Sequence, residues 1–199
     1  MIAHSLRAQL VLGLTLVTLM AATRGHHFGA LEYLPTASWA VFFLAGIYLS
    51  SRWVFPALLA EAALLDFAAI TWGGVDSFCV SPAYGFLLPA YGMLWGAGRW
   101  YAGRHRERAA TLLPLALSVS VGTALCELLS SGGFYFFSGR FEQTNLIQFA
   151  SRFVHYFPWS FSALLFYTGI ACVIHTFFSA TRVWTVRNNR IEGIQLGER

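Results

Sequence analysis

The chain has 199 residues, 57% of them hydrophobic and only 11% charged, and its mean hydropathy is +0.58. A soluble domain carries roughly twice that share of charge, so composition excludes a soluble fold and points to a polytopic membrane protein. The net charge of +4 comes from thirteen arginines and no lysine; these lie in loops and at the tail, where they read as topology signals rather than as a nucleic-acid surface.

Six apolar runs organise the chain. The expectation is an all-α integral membrane protein, a six-transmembrane-helix bundle over residues 1–190, with residues 191–199 read as a disordered or appended tail. The first span covers 8–22 and runs on into more membrane without a cleavage pattern. Residues 24–38 hold His26, His27, Glu32 and Pro35 and read as an outer loop. The second span, 39–51, is short for a bilayer. The third, 53–72, is bracketed by Trp53 and Trp72 and carries Pro56, Glu61 and Asp66. A break follows at 73–84, where Gly73, Gly74 and Pro82 interrupt both neighbouring helices around Asp76 and Cys79.

The fourth span covers 83–100, and its Gly92 and Gly96 have the four-residue spacing that lets another helix approach closely. The most basic loop, 99–108, precedes the fifth span at 109–129. A polar stretch at 130–154 contains Gly132, Gly133, the aromatic run Phe134–Phe137, Arg140 and Arg152. The sixth span covers 155–178. Six spans put both termini on one side, and ten of the thirteen arginines fall there, so the termini are expected in the cytoplasm. The histidine, cysteine and aromatic stretches then face outward together.

Most candidate residues have more than one reading. Cys79 is a connector thiol, or one that binds a soft metal or attacks an electrophile. His26 and His27 are interfacial side chains or single ligands; being adjacent, they do not point the same way on a helix. Cys79 with one histidine gives two ligands, too few for a closed zinc site. Asp66 lies about 9 Å below the outer interface at 1.5 Å per residue, so it needs a wet cavity or a partner. Glu61 is about 140° away around the helix and reads as an interhelical partner. Arg152 pairs with Asp66, grips a ligand, or snorkels. Tyr84 and Phe134–Phe137 stack on a flat ligand or form an interfacial belt. Cys126 and Cys172 read as small hydrophobes within spans, and no disulfide framework is indicated. No phosphate-binding, serine-hydrolase or zinc-protease motif occurs.

The six short spans, the cytoplasmic termini and the single outward cysteine in Gly-Val-Asp-Ser-Phe-Cys-Val-Ser-Pro (residues 74–82) resemble the BtuM family. These are solitary substrate-binding components of energy-coupling-factor transporters for vitamin B12, found in the inner membrane of Gram-negative bacteria. The resemblance covers nearly the whole chain. It implies cobalamin as the transported substrate, bound from the periplasmic face. Cys79 would be the axial ligand of the corrin cobalt, with the dimethylbenzimidazole base displaced and a cyano ligand removed. Asp66, Tyr84, His27 and Arg152 would line the pocket. Many such components carry Ala-x-x-x-Ala in the first helix for docking on a shared partner. Here the alanines are Ala3, Ala8, Ala21 and Ala22, no two of them four apart, which fits a component without a dedicated energising module. Two alternatives from the residues alone are an intramembrane thiol enzyme, with Cys79 as nucleophile and His27 as base, and a copper or zinc carrier using Cys79 and His27.

Overall fold

In a computed structural model the described residues are 5–24, 34–73, 81–106 and 109–197, with backbone alone at 180 and 182–197. They form six α-helices: α1 Leu6–Arg24, α2 Ser38–Tyr48, α3 Val54–Trp72, α4 Leu87–Arg104, α5 Leu112–Phe137 and α6 Leu146–Gly197. Short 3-10 turns, Pro82–Phe86 and Ala109–Thr111, lead into α4 and α5. No strand occurs among the described residues. The chain divides into two compact units, Met1–Leu165 and Phe166–Arg199.

Four helical stretches are long and apolar enough to cross a membrane: Leu6–Arg24, Val54–Trp72, Leu112–Phe137 and Leu146–Ser179. Their outward faces carry exposed Leu10, Leu14, Leu64, Phe67, Leu113 and Val121, among others. A surface of that kind is stable in lipid rather than in water. α2 is apolar but has only 11 residues. It is buried on nearly every side, from Ala40 to Ile47, and so forms the centre of the first unit.

Side-chain contacts give the helix directions. At one end of the first unit Arg24, the last residue of α1, bonds Ser38 at the start of α2 and Asp66 late in α3. At the other end the Ser50 hydroxyl, just past α2, donates to Gln9 in the first turn of α1 at 2.7 Å. α2 with the extended Leu49 after it therefore returns the chain alongside α1, and α3 runs parallel to α1. α4 descends again, because Tyr91 bonds Arg24 while Arg99, two turns on, donates to the Ser50 carbonyl. α5 ascends beside it: Gly122 faces Ala97, and Gly133 faces Phe86. The first half of α6 descends, since Gln148 bonds Tyr135 and Ser160 bonds Glu127.

Two sequence expectations change here. The helices approach most closely at Gly46 and Gly98, not at the Gly92–Gly96 pair. A Cβ on Gly46 would strike the Trp95 carbonyl, and one on Gly98 the Phe43 carbonyl, whereas Gly96 has nothing within 4 Å. The segment 130–154 is not a loop. Its Ser-Ser-Gly-Gly start reads as a breaker, yet Gly132 and Gly133 lie inside α5 because the rings of Phe149 and Phe86 occupy the space a side chain would need. Only residues 138–145 separate α5 from α6, which begins nine residues before the expected sixth span and continues to Gly197, through most of the expected tail.

Candidate functional site

The strongest constellation of polar side chains among the described residues lies where α1, α2, α3, the turn before α4 and α4 itself meet. The Arg24 guanidinium grips Asp66 with two parallel bonds, Nε to Oδ1 at 2.6 Å and Nη2 to Oδ2 at 2.7 Å. Its remaining nitrogen, Nη1, donates to the Ser38 hydroxyl at 2.9 Å and the Tyr91 hydroxyl at 3.0 Å. The Tyr84 hydroxyl donates to Asp66 Oδ2 at 2.6 Å. Beside them the Thr23 hydroxyl accepts from the Ala37 amide at 3.1 Å and donates to the Leu19 carbonyl, fixing the end of α1 against the start of α2.

This is the bidentate geometry in which arginine binds carboxylate best. The two side chains are 12% and 27% exposed, so the pair is shielded without being sealed. Each charge compensates the other where lone charges would be costly. The knot joins five elements, and its carboxylate accepts from three donors. Asp66 is thus an anchor for Tyr84 and Arg24, not a free acid.

Next to the knot stands an aromatic wall. Phe86, two residues after Tyr84, stacks on Phe137 at 5.1 Å between ring centres. Tyr135 packs against Phe136, Phe141 and Phe149. Between α5 and α6 lies a cavity of about 320 Å³ whose lining includes Ser131, Phe134, Tyr135, Phe149, Arg152 and Tyr156. Arg152 lies over the rings of Phe141 at 5.0 Å, Tyr156 at 5.7 Å and Tyr135 at 5.8 Å. A guanidinium over aromatic faces is held by their quadrupoles and keeps its N–H edge available.

The chain matches no protein-family model and no curated protein.

Of the expected site residues, the structure brings Asp66 and Tyr84 into contact. It does not bring Arg152 to Asp66: Arg24 takes that position, and Arg152 belongs to the aromatic wall. Cys79 and His27, with His26 and Asp76, lie outside the described residues. Glu61 does not find the interhelical partner expected of it; both its carboxyl oxygens are buried with no hydrogen-bond partner among the described residues. No group of three or more His, Cys, Asp or Glu occurs among the described residues, and both described cysteines, Cys126 and Cys172, are free.

Sequence reading missed Arg24, Ser38 and Tyr91. The sequence places Arg24 at the start of a loop, yet it also carries a signal. An arginine ending one span and an aspartate one or two turns below the interface of another are at matching depth, and each is costly alone.

Proposed function

We propose that the protein binds cobalamin at the face carrying the Arg24–Asp66–Tyr84 knot and moves it across the inner membrane, in the manner of the BtuM-like components it resembles. The observation that carries this reading is the position of the knot in the chain. His27 follows Arg24 by three residues, and Cys79 precedes Tyr84 by five. The knot thus clamps one flank of each segment that holds a candidate cobalt or ring ligand. The aromatic wall begins at Phe86, directly after it. A broad, flat ligand with amides at its rim needs stacking surface, a few fixed polar groups and one strong anchor. Tyr84, the ring cluster and Arg152 suit the first two roles, and a Cys79 thiolate suits the third.

The up-and-down order of the helices supports six crossings, with α2 and α4 completing what the four long stretches begin. The arginine distribution supports cytoplasmic termini and a periplasmic binding face. Asp66 in this reading holds Tyr84 in place for the ligand.

The test is a visible absorption spectrum. Protein purified from cells supplied with cobalamin is expected to be red or orange, with cyanide lost from bound cyanocobalamin. Cys79→Ala is expected to abolish the cyanide loss and shift the spectrum. A Cys79→Ala variant that binds and converts cyanocobalamin unchanged overturns thiolate ligation, and a colourless wild type overturns the cobalamin reading.

A further inference from the structure

Glu127 takes no part in the site above, yet it is the most deeply buried acid among the described residues, at 2% exposure. It sits ten residues before the end of α5, so about 15 Å down the helix from Phe137. One carboxylate oxygen accepts from the Ser131 hydroxyl one turn on, and the other accepts from the Ser160 hydroxyl of α6 at 2.8 Å. The only ion pair among the described residues is that of Arg24 and Asp66, so no described arginine or histidine pairs with Glu127. Of the titratable and charged groups nearby, Cys126 precedes it on α5, while Tyr135, Tyr156 and Arg152 line the adjoining cavity. Arg152 is held over aromatic rings and makes no bond to Glu127.

An ionisable side chain within a span marks a functional site by default, with its partner to be named. We propose that Glu127, Ser131 and Ser160 form a binding site for one monovalent metal cation, sodium, between α5 and α6. The donors are one carboxylate and two hydroxyls, all hard oxygens, which suit alkali and alkaline-earth ions rather than soft metals. Charge selects among them. One carboxylate neutralises one positive charge, and a divalent ion would leave a net charge buried in the bilayer. Each serine hydroxyl has two lone pairs and turns its proton aside when a cation enters. Access is built in, because Ser131 also lines the α5–α6 cavity. The bond that Ser160 donates to Glu127 ties the two helices, so occupancy of the site sets how firmly α6 is held to α5.

The sequence has no nucleotide-binding motif. Sodium entering with the cargo supplies an energy source for uptake, and only this use rests on the proposed function; the site is tested without cargo. Thermal unfolding of the purified protein is followed in sodium, potassium and choline chloride at equal ionic strength. Sodium is expected to raise the wild-type midpoint saturably, as for any ligand bound only by the folded state. Glu127→Gln is expected to show no such rise. Ser160→Ala keeps the charge and removes one ligand, and should raise the half-saturating sodium concentration at least about tenfold. Should Glu127→Gln fail to fold, Ser160→Ala and direct binding of radioactive sodium to the wild type carry the test. An absent sodium effect, or an equal one in potassium or choline, overturns the site. So does stabilisation by acid alone that is lost in Glu127→Gln, because a proton then fills the place assigned to sodium.

Discussion

Arg24 makes four hydrogen bonds to three side chains, and the end of the bundle that faces the candidate site depends on them. Removing one member of a buried ion pair leaves the other uncompensated. Arg24→Met is therefore expected to destabilise the protein by about 3 kcal/mol, the low end of the range for buried pairs, since Asp66 retains some exposure. Tyr84→Phe removes a single bond to a charged acceptor and should cost about 1.5 kcal/mol. Thermal unfolding in detergent checks both, and the double variant Arg24→Met with Asp66→Leu should lose less than Arg24→Met alone. An Arg24→Met protein as stable as wild type would mean the pair is incidental. At this scale the sequence was half legible. The depth of Asp66 announced that it needed a partner, and Tyr84 stood out beside the cysteine segment. The identity of the partner was hidden because an arginine at a span end looks like any topology signal. Only the parallel course of α1 and α3 brings Arg24 and Asp66 together.

Helices are placed by where they lack side chains. Gly98 of α4 lies against the Phe43 carbonyl of α2, and Gly46 of α2 lies against the Trp95 carbonyl of α4. Backbone cannot yield as a flexible side chain can, so Gly98→Ala is expected to separate the two helices and cost about 2 kcal/mol or more. Gly96→Ala provides the contrast. Nothing lies within 4 Å of that position, and replacing a helical glycine by alanine should leave stability unchanged or raise it by up to about 1 kcal/mol. Comparing the two midpoints separates a packing role from a propensity effect. The sequence showed that α4 carries closely spaced glycines but not which of them meets a neighbour, because helix rotation is fixed by the partner. The same holds for Gly132 and Gly133. Without the rings of Phe86 and Phe149 against them they read as breakers; with those rings in place they are seats within a helix.

For the whole molecule, the all-helical, apolar character was legible, and four helical stretches are long and apolar enough to cross a membrane. The course of α2 was not, because 11 helical residues cover only about 17 Å, and only the Gln9–Ser50 contact at one end and the Arg24–Ser38 contact at the other show that α2 with the extended Leu49 after it runs back along α1. Orientation can be tested on α5 without deciding how many spans there are. At 26 residues and 1.5 Å each, α5 is about 39 Å long, so its ends emerge on opposite sides of a hydrocarbon core about 30 Å thick. Four arginines, Arg99, Arg104, Arg106 and Arg108, precede it closely, whereas Arg140 alone lies in the short segment that follows, before α6 begins. Retention of positive charge on the cytoplasmic side therefore predicts that Leu112 starts inside and Phe137 ends outside. In a cysteine-free background, Glu142→Cys should react with a membrane-impermeant maleimide on spheroplasts, and Arg106→Cys should react only after the membrane is opened. The reverse pattern would turn the bundle over. The face bearing Arg24, Asp66 and Tyr84 would then look into the cytoplasm, where the proposed uptake could not begin.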